Sequence, residues 1–242
     1  MLIGIEEIIT SEKPDIALLY GDTNSTLAGA LMASKMRIPI AHVEAGVRNY
    51  DMHNVEEQNR IITDHMSSYL FCPTQFAVDC LEKEGLINGL LKNDKEITVC
   101  NAGDVMYDAY LFEYNKCKNM EILFKQYALE KNNYILLTIH RDENVNPESL
   151  KKIFHGLEKI NDKILFPVHP RTRKLIEQSN ICIGNNIHCV EPLGYREILF
   201  LQKNARMIIT DSGGIQKEAY FSSVPCITLM EKTGWPETVA TG

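Results

Sequence analysis

Residues 205–229 read ARMIITDSGGIQKEAYFSSVPCITL, in which a strand pattern, a glycine corner, a helix pattern and a second strand pattern follow one another. The apolar run that ends at Thr210 is typical of a buried strand, and VPCITL (224–229) has the same character. Two strands separated by one helix predict a parallel βαβ unit, because a parallel crossover needs a connection of about a dozen residues, usually a helix.

The same alternation extends along the rest of the chain. The predicted strands lie at 15–22, 38–46, 68–73, 96–104, 134–144, 163–170, 186–192, 205–214 and 224–229. The predicted helices lie at 24–36, 55–66, 74–85, 104–115, 118–131, 147–161, 171–178, 194–203 and 212–222. Strands that are apolar on both faces and alternate with helices predict parallel sheets covered by helices on each side. The predicted fold class is therefore doubly wound α/β.

The alternation breaks once, where two helical stretches follow one another with no strand between them. This break predicts two Rossmann-like lobes, at 1–103 and 132–242, joined by a helical connection at 104–131. Open parallel sheets bind their ligands beyond the carboxyl ends of the strands. The polar residues at those ends are therefore the candidate site residues.

Composition and charge exclude several functional classes. The chain has 242 residues with a formal net charge of −7 and no long basic run, which argues against nucleic acid as a partner. Its seven cysteines are dispersed without a CxxC pair, which favours reduced thiols in a cytoplasmic protein over disulfides or a metal site. No apolar run approaches the ~20 residues of a membrane-spanning helix, and no signal-peptide pattern is present.

The glycine corner TDSGGIQKEA (210–219) is a candidate cradle for a diphosphate. A helix N-terminus presents unpaired N–H groups and a positive dipole end, and Gly213 and Gly214 would let a phosphate approach the backbone. Glu218 on the same helix could accept hydrogen bonds from ribose hydroxyls. The alternative is a tight turn followed by a helix that Ser212 caps.

Acidic residues in HVEAG (42–46) and NVEEQNR (54–60) could meet in one cleft, as acid–base chemistry requires. The alternative for Glu56 and Glu57 is a pair of negative charges that favour a helix N-terminus. Asp22 could be a third carboxylate of the cleft or the N-cap of the helix that follows it. The spacing leaves these alternatives open.

Two further strand ends carry a histidine and an arginine. In TIHRDEN, His140 stands beside Arg141; in PVHPR, His169 precedes Arg171. A strand-end histidine is often a structural residue, but an adjacent arginine adds an anion-binding group. Together with the glycine corner, these ends would suit a nucleotide diphosphate.

Seven blocks of the sequence, in this order, resemble the non-hydrolysing UDP-N-acetylglucosamine 2-epimerase family. They are GDTNST (21–26), HVEAG (42–46), PTQFAVDCLEKEG (73–85), GDVMYDA (103–109), HRDEN (140–144), FPVHPR (166–171) and TDSGGIQKEA (210–219). The resemblance covers nearly the whole chain. It implies a glycosyltransferase-B type architecture of two Rossmann-like lobes with the sugar nucleotide in the cleft between them, usually in a homodimer.

The resemblance also implies a reaction, the interconversion of UDP-GlcNAc and UDP-ManNAc for a surface polysaccharide. The proton on carbon 2 of the sugar has no adjacent carbonyl to acidify it. In the family UDP therefore leaves carbon 1 first, the carbon 2 proton is lost to give a 2-acetamidoglucal, and proton return on the other face precedes re-addition of UDP. No metal or other cofactor is implied.

Carried over by position, the family's three acids fall on Asp22, Glu44 and Glu56, and its active-site histidine falls on His140. The positions matched to UDP binding are Arg141, His169, Ser212, Gly213, Gly214 and Glu218. Base and acid are not assigned among the carboxylates by this match.

The chain also departs from the family pattern. By the resemblance it is a fragment with two incomplete lobes, since family members begin with a strand and a basic loop before the position of Met1 and continue with helices beyond Gly242. Such a fragment would expose apolar sheet edges. Trp235 and Asp142 stand where many members have other residues, and an aromatic residue at 235 matches a subgroup that acts on UDP-2,3-diacetamido-2,3-dideoxyglucuronic acid.

Three alternatives to a UDP-GlcNAc epimerase therefore stay open. They are the diacetamido-uronate epimerase, a sugar transferase of the same architecture, and an inactive UDP-sugar-binding remnant. The acidic trio favours proton chemistry over sugar transfer.

Overall fold

The computed structural model describes residues 1–92 and 95–241, which form two compact units. Unit 1 comprises Met1–Val105 together with Gly234–Glu237, and unit 2 comprises Met106–Thr233 with the residues from Thr238 onward. Each unit contains a parallel sheet with helices packed against its strands. The predicted α/β class is confirmed.

Unit 1 contains a four-stranded parallel sheet in the order β1-β2-β3-β6. Its strands are β1 (Ala17–Tyr20), β2 (Ile40–Val43), β3 (Tyr69–Cys72) and β6 (Thr98–Asn101). Its helices are α1 (Leu2–Glu12), α2 (Asn24–Lys35), α3 (Val55–Met66) and α4 (Gln75–Lys83). A separate antiparallel pair is formed by β4 (Leu91–Lys92) and β5 (Lys95–Glu96).

Unit 2 contains a five-stranded parallel sheet in the order β11-β10-β7-β8-β9. Its strands are β7 (Ile135–Thr138), β8 (Ile164–Pro167), β9 (Ile187–Val190), β10 (Met207–Thr210) and β11 (Cys226–Thr228). The helices from 105 onward are α5 (Val105–Tyr114), α6 (Ile122–Gln126), α7 (Pro147–Leu157), α8 (Pro170–Gln178), α9 (Tyr195–Lys203), α10 (Gly213–Ser222) and α11 (Pro236–Ala240).

Side chains cap six of the described helices at their N-termini. Each capping side chain accepts a hydrogen bond from a backbone N–H of the first turn, which satisfies a donor that the helix leaves unpaired. The caps are Thr23 for α2, Asn54 for α3, Thr74 for α4, Asn146 for α7, His169 for α8 and Ser212 for α10. Thr23, rather than Asp22, caps α2, so the alternative that made Asp22 a helix cap is wrong.

The two faces of the unit 2 sheet bury different apolar clusters. On β7, Ile135 and Leu137 pack into one cluster and Leu136 into the other. This strand is apolar on both faces, as predicted for a doubly wound sheet. On β1, the edge strand of unit 1, Leu18 is 52% and Tyr20 59% exposed, so one face of this strand is not covered, in agreement with the expected exposure of apolar sheet edges.

One predicted helix is much shorter than the pattern suggested. The stretch 118–131 forms only α6, because Asn119 and Ala128 adopt left-handed backbone conformations with φ of 59° and 47°. Such residues interrupt a right-handed helix. The β4–β5 pair was not predicted, since two-residue strands carry no periodic signal.

No disulfide joins any of the seven cysteines, all of which lie in the described part of the chain. Within residues 1–92 and 95–241, no helix combines the length and apolar character that a membrane crossing requires.

Candidate functional site

The carboxyl ends of β1 and β2 bring two candidate acids together. Tyr20 pairs with Val43 in the sheet, so Asp22 and Glu44 follow neighbouring strand ends. Gly21 lies between these ends, and a Cβ built on it would be 3.4 Å from Oε2 of Glu44. The Glu44 carboxylate therefore lies directly over the corner that carries Asp22.

Arg60 on α3 connects Asp22 to a buried glutamate. Its Nη1 donates to Oδ2 of Asp22 at 2.6 Å, and its Nη2 donates to Oε2 of Glu57 at 2.8 Å. Asn59, the preceding residue, donates from Nδ2 to the Asp22 carbonyl oxygen at 2.8 Å. Helix α3 is thus fixed against the end of β1 by two consecutive side chains.

The adjacent residues Glu56 and Glu57 have different environments. Glu57 is completely buried and accepts hydrogen bonds from the backbone N–H groups of Asn49 and Tyr50 as well as from Arg60. Glu56 is exposed. Residues three and four apart share a helix face, so Glu56 lies on the same side of α3 as the residues that contact Asp22. Glu57 is therefore a structural acceptor rather than a simple helix N-terminal charge.

The segment Gly234–Glu237 also lies in unit 1, against the same sheet edge. Thr74, just after β3, donates from Oγ1 to Oε1 of Glu237 at 2.6 Å. A Cβ built on Gly234 would be 3.1 Å from Cγ1 of Val47 and 4.0 Å from Nη1 of Arg60. Trp235, which differs from the residue of many family members, lies in this segment between Gly234 and Glu237, which both approach this edge.

Asp211 organises the carboxyl edge of unit 2. Its completely buried carboxylate accepts from the backbone N–H of His140 and of Arg141, each at 3.0 Å, and from Nδ2 of Asn144 at 3.1 Å. The Nδ1 atom of His140 is 3.0 Å from Oδ1 of Asp211. Burial acts to raise the pKa of Asp211, but these hydrogen bonds outweigh it and hold the pKa below its usual value. Asp211 thus fixes the His140–Arg141 backbone and the His140 ring.

Asp211 and Arg60 were both missed as site residues by sequence reasoning. Asp211 stands in the quoted glycine-corner motif, and its position at a strand end was the available signal. Arg60 stands in the quoted NVEEQNR block, and an arginine close to candidate acids was the corresponding signal.

The glycine corner begins helix α10, and its role as a diphosphate cradle stays a prediction. Ser212 caps α10 by accepting from the Ile215 N–H at 3.3 Å, as the structural alternative predicted. Gly213 and Gly214 form the first turn of α10. A Cβ on Gly214 would be 3.2 Å from Cε of Met106, so a larger residue there would crowd its neighbour. The corner remains a helix N-terminus of the kind that binds anions.

Glu218 is buried within unit 2. Its Oε1 accepts from the Tyr195 hydroxyl at 2.8 Å and its Oε2 accepts from Nε2 of Gln202 at 2.9 Å. Burial raises the pKa of Glu218 above its usual value, against the opposing effect of these hydrogen bonds. The residue is held rigidly by two protein donors, with lone pairs left on each oxygen.

The ends of β7 and β8 are connected by Arg171. Its Nη2 donates to Oδ1 of Asp142 at 2.6 Å and to the carbonyl oxygen of His140 at 3.3 Å. His169 is exposed, and its Nδ1 accepts from the Arg171 N–H at 3.3 Å as the cap of α8. The structure thus brings His140, Asp142 and Arg171 together at one edge, with His169 beside them.

The described residues offer no arrangement suited to a metal ion, since no three His, Cys, Asp or Glu side chains among them are grouped for one. Unit 1 carries one candidate group, of carboxylates, and unit 2 carries another, of backbone N–H groups, histidines and arginines.

Comparison with known proteins gives a family for this arrangement. The family model described as UDP-N-acetylglucosamine 2-epimerase matches residues 1–242. The chain belongs to this family. It is 48% identical to a UDP-N-acetylglucosamine 2-epimerase homolog of Methanococcus maripaludis, over 100% of this chain and 67% of that protein. It is 43% identical to the UDP-2,3-diacetamido-2,3-dideoxy-D-glucuronate 2-epimerase of Pseudomonas aeruginosa, over 100% of this chain and 66% of that protein.

A solved structure of the epimerase family shows the same fold. The Methanocaldococcus jannaschii UDP-GlcNAc 2-epimerase in complex with UDP-GlcNAc and UDP superposes with a TM-score of 0.86 at 43% identity, over 99% of this chain and 66% of that one. The chain thus spans about two thirds of the length of its relatives. The expected glycosyltransferase-B type architecture of two Rossmann-like lobes is confirmed.

Proposed function

We propose that this member of the epimerase family interconverts UDP-GlcNAc and UDP-ManNAc. The proposal is supported by the acid cluster of unit 1, in which Asp22 and Glu44 follow neighbouring strand ends and Arg60, four residues after Glu56 on α3, donates to Asp22. Inversion at carbon 2 requires removal of a proton from one face and its return to the other, which carboxylates at one edge can perform.

The proposed reaction begins with departure of UDP. The bond between carbon 1 and the phosphate oxygen breaks, and its electron pair stays with UDP. A carboxylate then takes the proton from carbon 2, and the electrons of that C–H bond form the double bond of a 2-acetamidoglucal. Return of a proton to the opposite face of carbon 2 and attack of UDP on carbon 1 complete the inversion. Asp22, Glu44 and Glu56 are the candidates for the two proton transfers.

Unit 2 would bind the nucleotide and stabilise the departing diphosphate. The N–H groups at the α10 N-terminus, Ser212 and the His140–Arg141 segment present donors and positive charge to an anion. Asp211 fixes the backbone of that segment by accepting hydrogen bonds from two of its N–H groups. Glu218 would accept from the ribose hydroxyls through its remaining lone pairs, and His169 would flank the nucleotide. Stabilising the leaving group is the largest electrostatic demand of the first step.

A second candidate substrate is UDP-2,3-diacetamido-2,3-dideoxyglucuronic acid. It is supported by the 43% identity to the Pseudomonas aeruginosa enzyme and by Trp235, which directly follows Gly234 in the segment close to Arg60. The reaction steps would be the same, with a different sugar.

A homodimer and a cytoplasmic location are further parts of the proposal, and sedimentation velocity tests the first of them.

Incubation with UDP-GlcNAc in deuterated water tests the proposed activity. The expected result is deuterium at carbon 2 and the appearance of UDP-ManNAc, both measured by NMR. A parallel incubation with the diacetamido-uronate nucleotide decides between the two substrates. If neither nucleotide gives exchange or a new product while calorimetry detects UDP binding, the chain is an inactive UDP-binding remnant instead.

A further inference from the structure

A group of four charged side chains lies beneath the acid cluster of unit 1 and has no role in the proposed reaction. It consists of His42 on β2, Arg48, Asp64 on α3 and Glu84. The side chains of His42, Arg48 and Asp64 are completely buried. Buried charges are costly unless each is paired, so their contacts indicate what they do.

Asp64 is the common acceptor of this group. Its Oδ1 is 2.6 Å from Nδ1 of His42, and its Oδ2 accepts from the Gly46 N–H at 3.1 Å and lies 2.7 Å from Nη1 of Arg48. Arg48 also donates to both oxygens of Glu84, at 2.7 and 2.8 Å. Arg48 is therefore neutralised by carboxylates on two sides.

The contacts of His42 determine its protonation. Its Nδ1 faces the Asp64 carboxylate, and its Nε2 is 2.8 Å from the carbonyl oxygen of Gly21. Both partners can only accept, so both ring nitrogens donate and the ring is an imidazolium. Burial acts to lower the pKa of His42, but the hydrogen bond and charge of Asp64, with the Gly21 carbonyl, raise it above the usual value.

The second hydrogen bond of His42 reaches the corner that carries the candidate acids. Gly21 directly precedes Asp22, and His42, on β2, lies two residues before Glu44. Gly21 has a left-handed backbone with φ of 65°, which glycine adopts without strain. Glu44 has one with φ of 74°, which a non-glycine residue keeps only where surrounding contacts impose it. His42 fixes the Gly21 carbonyl of this corner from inside the sheet.

We propose that His42 is a positioning residue, whose Nε2–H bond to the Gly21 carbonyl sets the placement of Asp22 relative to Glu44. Asp64 keeps the ring protonated and oriented for that bond. His42 touches neither sugar nor nucleotide in this proposal, which rests on the proposed epimerase function. The bond to Gly21 is the functional contact and the bond to Asp64 is the structural one.

Two substitutions separate the two contacts. The amide nitrogen of Asn replaces Nδ1, so His42→Asn keeps the bond to Asp64 and loses the bond to Gly21. The amide nitrogen of Gln replaces Nε2, so His42→Gln keeps the bond to Gly21 and loses the bond to Asp64. We expect H42Q to retain at least about ten times the kcat of H42N, although H42Q has the lower Tm. An activity order that follows the Tm order, or equal kcat values in the two variants, would overturn the proposal.

An NMR measurement tests the contact without turnover. In the chain labelled with ¹³C and ¹⁵N, the Gly21 carbonyl and Asp22 amide signals are expected to shift in H42N and to stay near their original positions in H42Q. Unchanged signals in H42N would also overturn the proposal. Absence of carbon 2 exchange in the unmodified chain would instead reject the proposed function, so the two failures are distinguishable. His155, exposed on α7, provides the matched control pair H155N and H155Q, which should not differ.

Discussion

Oδ2 of Asp22 lies 2.6 Å from Nη1 of Arg60, so a candidate catalytic carboxylate is paired with a nearly buried guanidinium on α3. The same guanidinium neutralises the completely buried Glu57. One arginine therefore contacts both the candidate site and the packing beneath it. Substitution of Arg60 should lower both activity and stability.

We expect Arg60→Gln to destabilise the chain by about 3 kcal/mol, because removing one partner leaves a buried carboxylate uncompensated. Urea denaturation measures the change. Arg206→Gln is the control, since Arg206 pairs with Asp162 at the surface and its loss should cost less than about 1 kcal/mol. Equal effects of the two substitutions would contradict the structural role of Arg60. Adding Glu57→Gln to Arg60→Gln should recover part of the loss.

Glu56 and Glu57 should respond oppositely to the same substitution. We expect Glu56→Gln to abolish deuterium exchange at carbon 2. Its Tm should stay within a few degrees, and its affinity for UDP within a few fold, of the values for the unmodified chain. We expect Glu57→Gln to lower Tm, because a buried amide cannot replace a carboxylate that accepts from two backbone N–H groups and Arg60. Comparable loss of exchange and UDP affinity in Glu56→Gln would reduce Glu56 to a structural residue.

Glu218→Gln should separate stability from nucleotide binding. Burial raises the pKa of Glu218, so its charged form is disfavoured in the folded chain and a neutral amide avoids that cost. We therefore expect Glu218→Gln to be more stable than the unmodified chain at pH 7, as measured by urea denaturation. Affinity for UDP, measured by calorimetry, should fall if this residue meets the ribose. Glu177→Gln, at an exposed position on α8, should change neither quantity.

The acid stability of unit 2 should depend on Asp211. Its pKa is lowered on folding, so it contributes stability that is present above its unfolded value of about 3.9 and is lost as pH falls through the lower folded value. Asp211→Asn should lower Tm at pH 7 and flatten the decline of Tm between about pH 5 and 3. Calorimetry across that range measures both effects. Asp142→Asn, which removes an exposed carboxylate, should leave the acid decline unchanged.

Sequence patterns located most elements of this fold, but not α1, α11 and the β4–β5 pair, and not the contacts that define the site. The predicted helix 55–66 agrees with α3, which begins where the Asn54 side chain caps the first turn. The same pattern could not separate Glu56 from Glu57. Which of two neighbouring acids points inward depends on the phase of the helix against the sheet, and that phase is set by tertiary contacts.

Long-range polar pairs were likewise beyond the sequence. Arg60 reaches Asp22 across 38 positions, and His140 reaches Asp211 across 71. Strand ends were correctly predicted to gather polar residues, since carboxyl ends of parallel strands share an edge. The partner that each side chain takes at that edge depends on the strand order, which alternation of strands and helices does not determine. The predicted roles of the acids and of the UDP-binding residues stay predictions.

The left-handed backbone of Glu44 indicates a compromise between folding and chemistry at this corner. A side chain in that conformation costs roughly 1–2 kcal/mol, a strain that glycine would not have. The backbone alone would therefore favour glycine at this position, yet the molecule has a carboxylate there. A screen that selected variants for heat resistance alone would tend to remove this carboxylate.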